Sequence, residues 1–427
     1  MKKIIYGYGI TGKSLKKYFD YNNIDYYIVD KKNSDDFVMN IDDFDLYHEC
    51  DEVFVSPGIP LNNPFIEKCR IKNLKISSEI EKAYSILNKS IFIAVTGTNG
   101  KSTVCSLIYE IIKEKHKNVY LCGNFGIPLI DFWQLNNQKN IFVIELSSYQ
   151  LESLKTFKPY ISILINLTPD HLDRHITIDN YRLIKEKIYQ NMDNGFLLYN
   201  SADFSAKKID SKVECNKIGK DFNFKDNIFF DNDIVIKDLK THLLGKHNFL
   251  NIAYAVEAAI KMGISIEIIR KVLSEFKGLE HRIEYCGEYN NVKFYNDSKS
   301  TTFESTFAAL SSFSKPVNII ICGNLKKGMN IGVFIQKLLC SDNIKTVFTV
   351  GGINDFNDKI DFMNLKRYKD YKLKDIFEEV LNNSQENEIL LFSPGMPSFD
   401  NFKNFEERGT FFKTQLKEFL SEKEKKH

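Results

Sequence analysis

The sequence predicts an α/β protein with parallel sheets, divided into three domains. Short apolar runs alternate with segments of helical periodicity, which is the pattern of βαβ units. Two of these runs lead directly into a glycine-rich turn and a helix. The chain has 427 residues, more than one ordinary domain of about 100–200 residues holds. We place the domain boundaries at 1–88, 89–278 and 279–427.

Composition excludes several classes of function. The formal net charge of +2 argues against a nucleic-acid partner and against a polybasic membrane anchor. The start, "MKKIIYGYGITG", lacks the apolar region of a signal peptide, and no apolar run approaches the roughly 18 residues of a membrane span. Eight cysteines without a C-x-x-C pair predict reduced thiols rather than a zinc site or a disulfide framework. We expect a cytoplasmic protein without membrane insertion.

The first domain begins with strand Ile4–Tyr6, the turn "GYGITG" and a helix, followed by strand Tyr26–Asp30. A further strand, Val53–Val55, ends in "SPGI". The turn matches G-x-G-x-x-G, whose glycines let the backbone approach a phosphate at a helix N-terminus. With Asp30 at the end of the next strand, this is a dinucleotide pattern. It does not distinguish NAD from another nucleoside diphosphate, so an NAD-dependent dehydrogenase, a nucleotide-binding module and a purely structural turn stay open.

The second domain carries "AVTGTNGKSTV" (94–104) between strand Ile91–Val95 and an amphipathic helix. This is a phosphate-binding loop shorter than the usual G-x-x-x-x-G-K-[ST]. Lys101 would neutralise the β- and γ-phosphates, and Ser102 or Thr103 would offer a hydroxyl to Mg²⁺. An NAD enzyme has no use for such a site, and a plain NTPase would leave "GYGITG" unexplained.

Polar side chains follow two more strands of this domain. Glu145 follows the run Ile141–Ile144. The run Ile161–Leu167 is followed by four candidate ligands: Asp170, His171, Asp173 and His175. Active sites of open α/β sheets gather at the carboxyl ends of strands, and oxygen donors with one imidazole suit Mg²⁺ or Mn²⁺. The alternative for His171 alone is a structural histidine.

Three further regions are ambiguous from their residues alone. The segment "YRLIKEKIY" (181–189) is an amphipathic helix in which Lys185 and Lys187 are predicted to be solvated. In the third domain, Asp297 and Lys299 follow strand Val292–Tyr295, where they would face a nucleotide. The segment 393–409 is either a ligand-lining loop or a plain strand–turn–helix joint. Its domain also contains the predicted strands Val317–Ile321, Thr346–Val350 and Ile389–Phe392.

Together these segments resemble the Mur ligases over essentially the whole chain, and within them the branch that adds D-glutamate. The matching segments, in family order, are "GYGITG", "SPGI", "VTGTNGKST", "GNFGIP", "ELSSYQLE", "NLTPDHLDRH", "GKHNFLNIAYAV", "HRIE", "NDSKST" and "SFDNFKNFEERG". The resemblance implies a Rossmann-like UDP-binding domain, a central P-loop-type ATP-binding domain and a C-terminal Rossmann-like amino-acid-binding domain. It implies ATP-dependent ligation of D-glutamate to UDP-N-acetylmuramoyl-L-alanine through an acyl phosphate, by a monomer. Another Mur-type or folylpolyglutamate-type ligase is the alternative.

The resemblance also implies a role for individual residues. The UDP substrate would be held by Gly9, Thr11, Asp30, Lys31, Ser56, Gly58 and Asn124. ATP would be held by Gly97, Thr98, Asn99, Gly100, Lys101, Ser102, Thr103, Asn248, Asn251, Arg282 and Asp297. Two magnesium ions would be held by Ser102, Glu145, His171 and a carbamylated Lys185. The catalytic set comprises Lys101, Asn124, His171, Lys185, Arg282 and Lys299. D-Glutamate would meet Thr301, Ser398, Phe405 and either Lys326 or Lys327.

Overall fold

The computed structural model describes residues 1–31, 37–136, 139–204, 210–218, 227–230, 234–237, 241–243, 245–325, 330–351, 364–385 and 387–425. The chain forms two compact units. The first unit comprises Met1–Leu239 and Leu250–Leu273, and the second comprises Lys240–Phe249 and Ser274–His427. None of the described helices combines the length and apolar character that crossing a bilayer requires.

The first sheet has five parallel strands in the order β3-β2-β1-β4-β5. Its central strand β1 buries Ile4 and Ile5 completely, as expected of a parallel strand covered on both faces. The strands are β1 (Lys2–Tyr6), β2 (Tyr26–Asp30), β3 (Val38–Asn40), β4 (Cys50–Val55) and β5 (Lys75–Ser77). The helices are α1 (Ile10–Tyr21), α2 (Pro64–Ile71) and α3 (Glu79–Ile86).

The second sheet has six parallel strands in the order β11-β10-β9-β6-β8-β7. The strands are β6 (Ile91–Thr96), β7 (Val119–Gly123), β8 (Ile141–Glu145), β9 (Ile161–Leu164), β10 (Gly195–Asn200) and β11 (Val213–Ile218). The helices are α4 (Lys101–Lys113), α5 (Ser148–Glu152), α6 (Leu172–His175), α7 (Ile178–Glu186), α8 (Lys246–Lys261) and α9 (Ile266–Glu275). The strands β12 (Asn227–Phe230) and β13 (Ile234–Lys237) form a separate antiparallel pair. Because β6 is internal, the phosphate loop leaves from the middle of the sheet.

The third sheet has the order β14-β15-β19-β16-β17-β18, in which only the β14–β15 pair is antiparallel. The strands are β14 (Glu284–Tyr289), β15 (Val292–Asn296), β16 (Val317–Cys322), β17 (Ile344–Val350), β18 (Leu365–Tyr368) and β19 (Glu388–Gly395). The helices are α10 (Phe303–Leu310), α11 (Ile331–Leu339), α12 (Leu373–Asn383) and α13 (Phe405–Glu424). The predicted α/β class with parallel sheets is confirmed, and all eight cysteines are free as predicted.

Helix α3 ties the first sheet to the second within the first unit. Glu79 is 3% exposed and accepts a hydrogen bond from the backbone N–H of Ile130. Glu81 accepts bonds of 2.9–3.0 Å from three successive N–H groups, those of Lys155, Thr156 and Phe157. Both carboxylates therefore bind backbone donors in segments that connect strands of the second sheet, and the buried Glu79 is thereby satisfied, as buried polar groups must be.

Three predictions of local structure are wrong: the end of the strand that begins at Ile161 and the solvated positions of Lys185 and Lys187. The run Ile161–Leu167 is strand only to Leu164, because Asn166 turns towards the phosphate loop and accepts hydrogen bonds from Thr98 N and Asn99 N at 3.1 and 2.9 Å. Lys185 is 1% exposed rather than solvated.

The burial of Lys185 follows from the geometry of α7. Residues four apart lie on the same helical face, so Lys185 shares the core-facing side of the helix with the buried Tyr181. Lys187 is half-buried and donates to Glu152 O at 2.8 Å, so it also departs from the predicted solvated position. The three domain boundaries remain a prediction.

Candidate active site

The phosphate loop joins β6 to α4 and requires glycine at its last position. Gly100 has a φ of +86°, and a Cβ there would lie 2.3 Å from the side-chain oxygen of Asn251. This close approach places Asn251 of α8 beside the loop. The first N–H groups of α4 lack intrahelical partners, and the helix dipole favours an anion at this end. The local structure therefore suits a phosphate group.

Two lysine side chains converge on one carbonyl oxygen of this loop. Lys101 Nζ lies 3.0 Å from Gly97 O and 2.8 Å from Thr98 O. Lys185 Nζ lies 2.8 Å from the same Gly97 O. Burial, followed by the charge of Lys101, lowers the pKa of the Lys185 amine to about 6. At neutral pH most of this amine is uncharged and nucleophilic.

Glu145 ends β8 beside the phosphate loop, and its Cα is paired with that of Val95. Its side chain is 2% exposed, and Oε1 accepts a 2.6 Å hydrogen bond from Asn124 Nδ2. The other oxygen, Oε2, is buried without a hydrogen-bond partner among the described residues. An unpaired buried carboxylate oxygen is costly, whereas a hard divalent cation is a suitable partner for it. Glu145 therefore fits the predicted magnesium site.

His171 lies on an exposed turn after β9 and has a left-handed φ of +52°. Its Nδ1 lies 3.0 Å from the hydroxyl of Tyr149, and its Nε2 lies 3.4 Å from a carboxylate oxygen of Asp170. The Tyr149 hydroxyl thus holds the ring through Nδ1, and Nε2 lies beside the Asp170 carboxylate.

The clearest carboxylate–imidazole group among the described residues lies elsewhere, in the second unit. It consists of Glu280, His281 and Glu284, whose ligand atoms lie within 4.8 Å of one another. Lys413 donates to both carboxylates, so its ammonium group already balances their negative charge without a metal ion. The predicted magnesium ligands Ser102, Glu145, His171 and Lys185 remain a prediction.

Six of the seven predicted UDP-binding residues lie at or just beyond the carboxyl ends of β1, β2 and β4, and the seventh, Asn124, follows β7 of the second sheet. Asp30 Oδ2 accepts a 2.7 Å hydrogen bond from Tyr8 N, and Ser56 Oγ donates over 2.9 Å to the first residue of the "GYGITG" turn. A Cβ at Gly9 or Gly58 would meet no atom within 4 Å. Packing therefore does not require these two glycines, and the open space above them suits a ligand. The remaining predicted residues follow the same strands: Thr11 in α1 and Lys31 after β2.

In the second unit, Asp297 supports the turn that carries Arg282. Asp297 is 4% exposed, and its carboxylate accepts from Ser393 Oγ at 2.7 Å, from Ile283 N at 3.2 Å and from Ser300 Oγ. Burial raises the pKa of this carboxyl to about 6, although these hydrogen bonds oppose the shift. The bond to Ile283 N fixes the backbone next to Arg282. Direct contacts of Asp297 and Arg282 with ATP remain predictions.

The second unit also contains Lys299, which is predicted to be catalytic, and three predicted D-glutamate residues, Thr301, Ser398 and Phe405. Lys299 Nζ lies 4.8 Å from the centre of the Phe405 ring, which is a cation–π distance. Ser398 is 2% exposed in the loop after β19. Lys326 and Lys327 lie outside the described residues. Two other predicted residues are placed near helix starts: Thr301 before α10 and Asn248 in the first turn of α8.

Two residues with buried or loop-binding side chains were missed by the sequence analysis. Asn166 lies two residues after the end of β9, as Glu145 ends β8, so the strand-end criterion applied there would have found it. Arg408 is fully buried and donates to Met396 O and Ser298 O, both at 2.8 Å. No local pattern reveals Arg408, because one arginine among the charged residues of a helix reads as solvent-exposed.

Comparison with known proteins assigns the family. Residues 95–259 match the Mur ligase middle domain. The chain is 36% identical to the UDP-N-acetylmuramoylalanine–D-glutamate ligase of Caldicellulosiruptor saccharolyticus, covering 86% of this chain and 84% of the relative. Identity to the enzyme of that name from Thermoanaerobacter sp. is 31%, with 98% of each chain covered. For the Clostridioides difficile relative it is 34%, covering 88% of this chain and 85% of the relative.

Solved structures agree on the fold. The MurF ligase of Thermotoga maritima, solved with ADP, superposes with a TM-score of 0.59 at 16% identity and covers 97% of this chain and 95% of its own. The UDP-N-acetylmuramate–alanine ligase of the same organism has a TM-score of 0.54 at 18% identity, with both chains fully covered. Because the relatives are ligases, the alternative interpretation of "GYGITG" as part of a dehydrogenase is wrong. The chain belongs to the Mur ligase family.

Proposed function

We propose that this protein is an ATP-dependent ligase that joins D-glutamate to UDP-N-acetylmuramoyl-L-alanine in cytoplasmic peptidoglycan precursor synthesis. The observation that carries the proposal is a phosphate loop whose Gly97 carbonyl is contacted by Lys101 and by the buried Lys185, with the unpaired oxygen of Glu145 beside the loop. Relatives at 31–36% identity are named for this substrate and this amino acid.

The proposed chemistry activates a carboxylate. The alanyl carboxylate oxygen attacks the γ-phosphorus of ATP, and ADP leaves with the electrons of the broken P–O bond. The neutral amine of D-glutamate then attacks the carbonyl carbon of the acyl phosphate. Phosphate leaves with the C–O electrons, and the new amide nitrogen loses a proton. Such phosphoryl transfer depends mainly on positioning and charge neutralisation.

The residues of the phosphate loop, Gly97–Thr103, would position ATP through backbone N–H groups and the Lys101 ammonium. Asn124 holds Glu145 Oε1 and would lie beside the substrate carboxylate. Bound magnesium would neutralise the transferring phosphoryl group, held by Ser102, Glu145, His171 and Lys185. Further ATP contacts are proposed for Asn248, Asn251, Arg282 and Asp297, with Arg282 and Lys299 near the transferred phosphate.

Carbamylation of Lys185 is part of this proposal. Carbon dioxide adds to an uncharged amine, and burial beside Lys101 keeps the Lys185 amine uncharged at neutral pH. The carbamate would carry a negative charge close to the Lys101 ammonium. That charge would let residue 185 act as an oxygen ligand for a second magnesium ion.

The two ends of the reaction are assigned to different sheets. The UDP end is proposed to occupy the open space above Gly9 and Gly58, close to Asp30 and Ser56. D-Glutamate is proposed to lie near Thr301, Ser398 and Phe405, with its γ-carboxylate met by Lys326 or Lys327. The protein is proposed to act as a monomer.

Phosphate release tests the function directly. The purified protein is given ATP, magnesium, UDP-N-acetylmuramoyl-L-alanine and one amino acid from a panel. Release with D-glutamate alone supports the proposal. Release with L-serine, a diamino acid or a dipeptide instead would move the protein to another activity of the family. No release with any partner would contradict the ligase function.

A further inference from the structure

Arg174 of α6 is a largely buried cation held by one carboxylate. Its side chain is 13% exposed and that of Glu152 is 12% exposed. Nη2 donates to Glu152 Oε2 at 2.6 Å, and Nε lies 3.1 Å from Oε1. This two-point pairing fixes the plane of the guanidinium as well as its position.

The same guanidinium reaches the first sheet. Nη2 donates to Ile59 O at 3.0 Å, and Nη1 lies 3.5 Å from Gly58 O. Both carbonyls belong to the "SPGI" turn, where the UDP substrate is proposed to bind. A lysine in place of Arg174 would supply one compact ammonium group and not this planar set of donors.

The guanidinium also packs against Tyr149, which in turn contacts His171. The Arg174 guanidinium carbon lies 5.1 Å from the centre of the Tyr149 ring, a cation–π distance. The hydroxyl of Tyr149 lies 3.0 Å from His171 Nδ1. A continuous set of contacts thus runs from the "SPGI" carbonyls through Arg174 and Tyr149 to His171.

We propose that Arg174 is a positioning residue that couples occupation of the "SPGI" turn to the orientation of His171. A ligand that orders this turn fixes the two carbonyls, which hold the guanidinium over the Tyr149 ring and so hold the imidazole. The ligand assigned to each end rests on the proposed function. Because coupling between two sites is reciprocal, a nucleotide bound near His171 strengthens binding at the turn by the same factor.

Calorimetry measures the coupling without turnover. The affinity for UDP-N-acetylmuramoyl-L-alanine is compared with and without saturating magnesium and a non-hydrolysable ATP analogue. We expect the ratio in the parent protein to lie within the usual range of about 5–150-fold. In Arg174→Lys the ratio should fall to within about twofold of unity, while affinity for the ATP analogue alone stays at the parent value.

Arg182→Lys is the matched control. Arg182 lies on the adjacent helix α7, has a side chain that is 41% exposed, and pairs with Asp179 three residues away on the same helix. It touches neither the turn nor Tyr149 in any described contact, so its variant should keep the parent ratio. Glu152→Gln is the second test variant, because it weakens the hold on the guanidinium while leaving Arg174 in place; its ratio should lie between those of the parent and Arg174→Lys.

Three results separate the possible failures. A parent ratio near unity, or an unchanged ratio in Arg174→Lys, would overturn the coupling. If Arg174→Lys does not fold, an unchanged ratio in Glu152→Gln overturns it instead. Absence of phosphate release by the parent would contradict the proposed function, whereas a releasing parent whose ratio does not respond to either variant contradicts this inference alone.

Discussion

Glu145 and Asp297 invite comparison because both are buried acids at the carboxyl end of a parallel strand, one in each unit. Asp297 is surrounded by donors: two serine hydroxyls and the N–H of Ile283 bind its carboxylate. Glu145 receives one donor, Asn124 Nδ2, and its second oxygen has no hydrogen-bond partner among the described residues. Their burial is nearly equal, since Asp297 is 4% exposed and Glu145 is 2% exposed.

The two carboxylates differ in whether both of their oxygens have hydrogen-bond donors. A buried acid with its oxygens bonded is stabilised within the protein and holds nearby backbone in place. A buried acid with an orphaned oxygen is stabilised only when a cation or donor arrives from outside. We therefore expect Glu145 to need a cation from outside the protein, whereas the Asp297 carboxylate is already stabilised by the turn next to Arg282, whether or not ATP binds beside it. The predictions below test this distinction, from the largest expected effect to the smallest.

Loss of the phosphate-loop cation should have the largest effect. We expect Lys101→Ala to lower kcat by about 10²–10³-fold or more, the scale of removing one preorganised charge contact from a transition state. Binding of UDP-N-acetylmuramoyl-L-alanine, measured by calorimetry, should match the parent because the proposed UDP site lies on the first sheet. Lys113→Ala, at the far end of α4 and paired with Glu110, is the control. Parallel loss of catalysis and UDP-substrate binding would contradict the assignment of the two sites.

The second prediction concerns Lys185. With ¹³C-bicarbonate, the parent protein should show a carbamate signal in NMR that is absent from Lys185→Ala. We expect kcat of this variant to fall by on the order of 10²-fold, because a charge near the transferring phosphate is lost. Lys187→Ala should keep parent activity, since Lys187 bonds to Glu152 O, away from the loop. A fully active Lys185→Ala would remove this residue from the proposed metal ligands.

The third prediction sets the two acids against each other. Glu145→Gln keeps an acceptor for Asn124 but loses the charge, so the magnesium concentration for half-maximal activity should rise at least about 10-fold. Asp297→Asn leaves donors unpaired and should lower the free energy of unfolding by about 1–3 kcal/mol. Magnesium titrations and denaturant unfolding of both variants provide the measurements. Equal changes in magnesium requirement would erase the proposed distinction.

A third buried acid, Glu79, allows the effect of burying a carboxyl group to be measured through pH. Burial raises the pKa of its carboxyl from 4.5 to about 7. Between these values the folded chain keeps a proton that the unfolded chain has lost, so the free energy of unfolding falls as pH rises and levels off above pH 7. Across this window the free energy of unfolding changes by at most about 1.4 kcal/mol for every pH unit.

Glu79→Gln should remove this pH dependence and leave the protein more stable than the parent above pH 7. The amide oxygen of glutamine still accepts from Ile130 N, so the contact itself is retained. Denaturant unfolding of parent and variant at several pH values between about 5 and 8 measures the slope. An unchanged slope in the variant would assign the titration to a different group.

By itself the sequence determined the α/β class, the phosphate loop, the buried stripe of α4 and the placing of acids at strand ends. These features depend on short spacings: the period of a helix or strand and the few residues of a turn. The functional state of the side chains was decided only by tertiary structure. Lys185 lies 88 residues from Gly97 along the chain, and Arg174 lies 115 residues from Ile59. Contacts between distant segments bury Lys185, leave Glu145 Oε2 without a donor and let Arg174 bond to both a turn of the first sheet and Glu152 of helix α5. No local sequence pattern encodes such contacts.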